Sequence, residues 1–314
     1  MGKEIELIKK KKEELSKKQE ELDKKIAEIE EKQRQKERQK EMEKKQKEEE
    51  KRLADIMKAE QRMEELRRKG ITSIHMSNNN VLLKKIFRTI SSIQHEALFS
   101  FKKNQIEYCG VDPAHVVLYM MRLPSKLMDG YKLSKEQDVG VDVEKLYSIL
   151  KRRKKTQIHL DKYKNNTFLY VSWKANIGHM ERRCKLVDPA SLPEPKIPKL
   201  SFPVKFDIKL HPFLEFLKEA EEIADHISIT SSESGIKLEA KGDEDVVGWR
   251  IEGKHKLCRS LFSIDYLLEA VKSMNLFFTE GSLEMGTDNP LMLKGENKEG
   301  FRMEVLLAPR IESE

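Results

Sequence analysis

Between residues 71 and 314 the apolar positions recur with two periods, and each switch of period marks a new element. Alternation with period two predicts strands at Ile71–Ser77, Ala97–Phe101, Gln105–Cys109 and Val116–Leu123, then at Gln157–Leu160, Thr167–Trp173 and Met180–Val187. A period of 3.6 predicts amphipathic helices over Asn79–Ile93 and Val143–Arg152. The same order then returns. Strand Val204–Lys209 and helix His211–Ala224 lead into strands His226–Thr230, Gly235–Ala240 and Val246–Glu252. Helix Ile264–Met274 precedes strands Ser282–Gly286, Leu291–Gly295 and Arg302–Leu307.

Pro189, Pro193, Pro195, Pro198 and Pro203 lie between the two halves, a density that favours an extended connector over helix or interior strand. The pattern therefore predicts an α+β chain with two tandem domains, 70–187 and 203–314, joined by a connector over 188–202. Each domain runs strand–helix–strands twice, with antiparallel sheets and helices on one face. Corresponding residues are 130 apart at the first helix (Val81 and His211) and 121 apart at the second (Val143 and Ile264). This places a nine-residue deletion between Trp249 and Phe262.

Residues 1–69 read differently. They hold no proline, Gly2 is their only glycine, and Glu, Lys, Gln and Arg dominate, all good helix formers. Glu14–Lys18, Glu21–Lys25 and Glu43–Lys47 are spaced for i,i+4 pairing. Ile8, Leu15, Leu22 and Ile29 form one heptad position, but the companion seam reads Ile5, Lys12, Gln19 and Ile26. Half of that seam is polar, so the pattern supports a long charged helix whose coiled-coil contacts are confined to its ends. A solvated helix or partly disordered tail, a coiled-coil partner and nucleic-acid binding all remain open for this segment.

Charge changes the picture once it is counted by region. The 314 residues carry 61 Lys+Arg and 54 Asp+Glu, for a net charge of +7 and 37% charged residues. Residues 1–69 account for 24 of the bases and 20 of the acids, so the remainder is only +3. The total is thus a poor guide to nucleic-acid binding. Cys109, Cys184 and Cys258 are odd in number and far apart, neither a disulfide framework nor a zinc site, which suits a reducing interior. No apolar run reaches the length of a membrane helix, and neither a signal-peptide h-region nor a myristoylation pattern is present. The expectation is a soluble intracellular protein with no membrane partner.

Catalytic patterns are missing too. The sequence contains no phosphate-binding loop, no dinucleotide fingerprint, no H-E-x-x-H and no nucleophile elbow, and its eight histidines are dispersed. Asp112 and Asp188 each precede a proline, which a turn explains. No enzyme, cofactor or metal is expected. The first-half helices say more. Leu82, Leu83, Ile86, Phe87, Ile90 and Ile93 form one apolar stripe, with Lys84, Lys85 and Arg88 opposite. In the next helix Val143, Leu146, Tyr147 and Leu150 leave Lys145, Ser148 and Arg152 outward, and Lys151–Lys155 runs off its end. Such cationic faces suit phosphate backbone, a solvated surface or a nuclear-localisation patch. The second-half helices mix acids with bases.

Four short motifs carry a resemblance. Gly110-Val111-Asp112-Pro113-Ala114-His115-Val116 resembles the D-P/S-x-H-V turn of the proliferating cell nuclear antigen family, the DNA sliding clamps. Gly140-Val141-Asp142-Val143 resembles the start of that family's second helix, and Asp288-Asn289-Pro290-Leu291 its late hairpin. Leu307-Ala308-Pro309-Arg310-Ile311 resembles its C-terminal signature, in a form closer to archaeal than to eukaryotic clamps. The resemblance covers residues 71–314 and none of residues 1–69.

It implies a three-subunit ring of six like domains around duplex DNA, with helices lining the hole. Such a ring is a processivity factor that serves DNA polymerase, clamp loader, flap endonuclease and DNA ligase. It implies two residue sets. The channel set is Lys84, Lys85, Arg88, Lys145, Lys151, Arg152, Lys218 and Lys272. The partner-peptide pocket is Val111, His115, Leu192, Pro290, Ala308 and Pro309, bordered by Ile197 and Ile311. The compartment implied is cytoplasm or nucleoid if the chain is archaeal, and nucleus if it is eukaryotic.

Two departures qualify this. The deletion lies beside Val246–Glu252, the strand that in the family pairs with Met180–Val187 of the next subunit, and that closing strand carries Glu181, Arg182, Arg183 and Lys185. A clamp variant forming mixed rings, or competing with a host clamp, therefore stands beside the homotrimer. The N-terminal helix adds a third alternative, a coiled-coil scaffold whose body no longer encircles DNA.

Overall fold

The computed structural model describes residues 31–36 and 38–50, positions 54, 57, 61 and 65, and residues 72–310 apart from 154, 165, 177 and 194. The chain divides into two compact units, Met1–Glu64 and Glu65–Glu314. In the first unit residues 31–36 and 38–50 are helical (α1) and exposed throughout. Lys45 and Glu41 pair at 2.8 Å across one turn, as the charge spacing predicts for a solvated helix.

The second unit begins with β1 (Thr72–Asn79), α2 (Asn80–Ser91), β2 (Glu96–Phe101), β3 (Gln105–Val111) and β4 (Val117–Pro124). It continues with β5 (Gly130–Leu133), β6 (Gln137–Asp142), α3 (Val143–Lys151), β7 (Gln157–Tyr163), β8 (Phe168–Ala175) and β9 (Gly178–Lys185). After the connector come β10 (Val204–Lys209), α4 (Leu210–Glu221), β11 (His226–Ser232), β12 (Gly235–Lys241) and β13 (Val246–Ile251). The chain closes with β14 (Cys258–Ser263), α5 (Ile264–Asn275), β15 (Glu280–Met285), β16 (Leu291–Glu296) and β17 (Arg302–Leu307).

Local chemistry sets the helix starts. The Asn79 side chain accepts from the Val81 amide at 3.0 Å, and the Asp142 carboxylate accepts from the Lys145 amide at 2.8 Å. Each satisfies one of the amides a helix leaves unpaired at its first turn. In α3 the buried stripe is Val143, Leu146, Ile149 and Leu150. Ile149 belongs to it and Tyr147 is half-buried, a shift of the face from the predicted stripe.

All pairings between named strands are antiparallel, in three sheets ordered β5-β1-β7-β8-β9, β10-β15-β16-β17-β4-β3-β2-β6 and β13-β12-β11-β14. Helices α2 and α3 pack together, as do α4 and α5. The eight-stranded sheet joins the halves: β17 lies against β4, with Val305 opposite Tyr119 and Leu307 opposite Val117. These residues belong to one continuous apolar core that runs through both halves.

Strands β5, β6 and β14 were not predicted: β5 has only four residues, and β6 and β14 each bury three consecutive positions, which hides the alternation. They correct the deletion. Ser100 and Glu107 are partners in β2–β3, and Thr230 and Lys237 are partners in β11–β12, so the offset there is 130. Glu107 faces Arg122 while Lys237 faces Arg250, an offset of 128 at β4 and β13. At β6 and β14 it is 121, since Glu96 faces Asp142 and His226 faces Ser263. Two residues are therefore missing before β13, at the turn that in the first half holds Asp112. The larger loss follows β13, where the first half forms β5 on the edge of β1 and the second half has no such strand.

Candidate functional site

The cations of the predicted channel set all lie on the helical layer, but they are not equally free. Lys84 Nζ lies 3.4 Å from the Arg153 carbonyl at the end of α3. Lys85 Nζ donates to the Leu276 carbonyl at the end of α5 at 2.6 Å, and stands 6.0 Å from the Phe277 ring centroid. Both are half-buried, whereas Arg88 is exposed. Lys145 is half-buried, and Lys151 and Arg152 are exposed at the end of α3. Lys151 Nζ sits 5.7 Å from the Tyr147 ring centroid. Lys218 is exposed on α4 and Lys272 half-buried on α5.

Acids on the same helices differ by half. In the first half Glu144 pairs with His95 at 3.0 Å. In the second, Glu215, Glu219 and Glu222 are exposed on or next to α4, so positive potential is concentrated on α2 and α3.

The second predicted set is organised by a buried carboxylate. Asp112 accepts from the amides of Val116 and Val117 at 2.7 Å each through Oδ1, and from Ala114 at 3.0 Å through Oδ2. Three amides on one anion fix the turn between β3 and β4. His115 takes the left-handed conformation, φ 57°, at its tip. The Ala308 amide donates to the Val116 carbonyl at 2.9 Å, tying the segment after β17 to the same turn. Beyond it, Arg310 donates to Asp225 at 2.8 Å.

A groove of about 430 Å³ lies between this turn and the connector. Val111, His115, Pro290 and Ala308 line it, together with Leu118, Leu306, Pro193, Pro195, Lys196 and Pro198. Leu200 and Phe202 of the connector pack on Leu118, Met292 and Leu306 beside it. Leu118 and Leu306 were missed, although the run Val116–Leu123 is apolar on both faces of a strand, a pattern that signals cover on both sides.

Three predicted residues stand elsewhere. Leu192 packs over Gly140 of β6, at the connector's start. Ile197 lines a neighbouring hollow with Cys109, Met120 and Pro195. Pro309 is half-buried and does not line the groove, and Ile311 lies outside the described residues. The groove walls are apolar, with His115 and Lys196 as polar rim groups and no acid among its described lining residues. It is suited to apolar side chains presented by a short segment.

Among the described residues no group of three or more His, Cys, Asp or Glu side chains is placed to hold a metal, and no helix is long and apolar enough to cross a membrane. Cys109, Cys184 and Cys258 form no disulfide, and burial pushes the Cys184 thiol up.

Residues 74–180 match the family model of the proliferating cell nuclear antigen N-terminal domain. The DNA polymerase sliding clamp of Archaeoglobus fulgidus is 31% identical over 245 residues, spanning 74% of this chain and 96% of that protein. The clamp of Methanosarcina mazei is 32% identical over 249 residues, spanning 75% and 98%. Among solved structures, the A. fulgidus clamp bound to the C-terminal region of FEN-1 superposes with a TM-score of 0.69 at 29% identity, covering 77% of this chain and 100% of that one. The clamp of Thermococcus kodakaraensis, at 23% identity and a TM-score of 0.67, shares the fold over 76% of this chain and 100% of that one. The chain belongs to the family of the DNA polymerase sliding clamps, the proliferating cell nuclear antigens.

Proposed function

We propose that the second unit is a subunit of a ring that encircles duplex DNA and holds DNA polymerase and other replication and repair enzymes on it, without catalysing a reaction itself. The observation that carries this reading is the internal repeat, with strand–helix–strands twice on each side of the connector. Strand β17 pairs with β4 inside the chain, while their counterparts β9 and β13 each end a sheet unpaired. Repeating the internal junction between copies joins β9 of one to β13 of the next. A head-to-tail interface of this kind closes into a ring when its rotation closes. Three copies of a two-domain chain would give six like domains.

Lys84, Lys85, Arg88, Lys145, Lys151, Arg152, Lys218 and Lys272 would then face the phosphates. Contacts of that kind carry no sequence information, so the ring slides. Persistence comes from topology, and a tethered polymerase keeps a high effective concentration at its template.

The groove beneath the connector would take a short helical turn with apolar anchors from polymerase, clamp loader, flap endonuclease or ligase. The solved complex of FEN-1's C-terminal region with a related clamp supports that role for it. The work would take place inside the cell, wherever the DNA is.

Loading onto nicked circular DNA followed by linearisation tests the reading. The ring should be retained on the circle and run off the linear ends. Equal retention on both would sink it.

A further inference from the structure

The two halves carry opposite charge in one corresponding row of side chains, on the sheet face turned away from the core. In the first half the row reads Asp138 of β6, Ser100 of β2, Glu107 of β3 and Arg122 of β4, each facing the next across the ladder. Its charges are met locally: Arg122 stands opposite Glu107, and the Ser100 hydroxyl donates to Asp138 at 2.6 Å. In the second half the same places hold Arg259 of β14, Thr230 of β11, Lys237 of β12 and Arg250 of β13. Both acids have become bases. Lys237 and Arg250 now face one another directly, an arrangement of like charges that costs stability.

The rows also differ in what lies over them. In the first half the connector residues Pro193, Pro195 and Ile197 close a hollow with Ser100, Glu107 and Arg122 and with the apolar neighbours Leu98, Cys109 and Met120. The counterparts of those three apolar residues are Ser228, Glu239 and Gly248. A hollow of about 410 Å³ stands over Thr230, Lys237 and Arg259, and its described lining residues all come from β11, β12 and β14. Beside it Gly248 leaves a notch, where an added Cβ would meet only the Leu238 carbonyl, at 3.6 Å. The second half thus keeps the place that the connector occupies in the first, with charge where the apolar contacts were.

Acids stand beside the row but not in it. Glu239 pairs with Lys237 and, at 3.2 Å, with Lys241, so one carboxylate serves two ammonium groups that each have donors left to give. Glu233 and Glu252 are exposed on the other side of the row. Asp225, at the rim, is engaged by Arg310 at 2.8 Å and His226 at 2.6 Å.

We propose that this face of the second half binds an extended acidic segment of a partner protein, laid across the strands as the connector is laid across the first half, with its carboxylates on Arg250, Lys237 and Arg259. The spacing fits. Neighbouring strands lie about 4.8 Å apart, so three steps carry the row about 14 Å from Arg250 to Arg259. Alternate side chains of an extended chain recur about every 6.6 Å, so acids at i, i+2 and i+4 cover that span. Carboxylates placed there replace the two acids that the row has lost and relieve the facing pair Lys237 and Arg250. A nucleic-acid strand fits less well, because Glu239, Glu233 and Glu252 flank the row and oppose a continuous line of phosphates. The proposal depends neither on the ring nor on the groove between connector and turn.

The test is a fluorescence-anisotropy titration of the full chain with a labelled decapeptide of alternating Glu and Ser, beside its Gln–Ser counterpart. The variant Lys237→Glu with Arg259→Asp restores the acids of the first half, and Lys237→Gln with Arg259→Gln removes the charges without reversing them; melting curves check the folding of each. Both variants should bind the acidic peptide at least tenfold more weakly than the wild type, and the Gln–Ser peptide should bind the wild type at least tenfold more weakly than the acidic one. Raising salt from 0.1 to 1 M, which shortens the Debye length from about 10 to about 3 Å, should weaken the acidic complex at least tenfold. A flap-endonuclease peptide should bind the wild type and both variants alike, because it addresses the other groove. No binding by the wild type at low salt, or equal binding by a folded variant, would overturn the proposal. Tighter binding of a ten-nucleotide oligothymidylate, lost in the same variants, would assign the face to phosphates instead. Binding that appears only after Glu312→Gln and Glu314→Gln would assign it to this chain's own acids and overturn a partner.

Discussion

Lys85 reaches from α2 to the Leu276 carbonyl at the C-terminal end of α5, 2.6 Å away, and so ties the first half of the body to the second. A cation at that end of a helix meets both an unpaired carbonyl and the negative pole of the dipole. Lys85→Ala is therefore expected to destabilise the body by about 1–2 kcal/mol, measured by denaturant unfolding.

Arg88, exposed on the same helix, should behave differently. Arg88→Ala should leave the unfolding midpoint within experimental error of the wild type. It should lower the slope of log affinity for duplex DNA against log salt by about 0.9 for each phosphate contact removed. Peptide binding at the connector should not change. An unaltered salt slope would remove Arg88 from the channel set.

Asp112 holds three amides of the turn that carries His115. Asp112→Ala leaves them without their acceptor, at a cost of about 2–4 kcal/mol, and should also weaken peptide binding by loosening the groove wall. Asp112→Asn, which keeps one acceptor oxygen, should lose less of both. Unfolding and peptide titration of the pair read the two effects together.

Ala308 lines the groove, and its neighbour across the cleft is the connector. Ala308→Arg fills the space with a charged side chain. It should weaken binding of a flap-endonuclease C-terminal peptide more than tenfold by titration, with native mass and DNA retention unchanged.

The Arg310 guanidinium and the His226 imidazole hold the Asp225 carboxyl at about 2, below its ordinary 3.8. Because the folded value is depressed, this contribution is present above about pH 4 and is lost as pH falls through about 2. At neutral pH Asp225→Asn should speed hydrogen exchange at the Arg310 amide, which donates to the Leu261 carbonyl at 2.8 Å, several-fold.

Much of this architecture is legible in the sequence because it depends on short-range periodicity. Strands β10 and β17 have the ends the alternation predicts, Val204–Lys209 and Arg302–Leu307; β10 alternates buried and exposed residues throughout, and β17 does so until Leu306, which the connector covers. Strand β6 was less visible: in Gln137–Asp142 the buried residues Val139, Gly140 and Val141 are consecutive. Gly140 is needed there because a Cβ would meet the Val187 carbonyl at 2.5 Å, a contact between residues far apart in the chain.

The candidate sites divide in the same way. The cations of α2 and α3 follow from helical spacing, which assigns a face by counting. Counting does not reveal that Lys84 and Lys85 bond to the ends of neighbouring helices while Arg88 does not, because those partners come from other elements. Val111, His115, Pro290 and Ala308 were found through short motifs, whereas Leu118 and Leu306 joined them only when the connector folded over the outer face of the sheet.

By itself, the sequence determined the element order, the internal repeat and the separation of a nearly balanced charged segment from a body of +3. Local propensity and periodicity act within a few residues, and a sequence displays them directly. Tertiary structure alone decided which strands pair across the halves and which cations bond to the ends of neighbouring helices. Those outcomes depend on strand register and on approaches between distant residues, which composition does not encode.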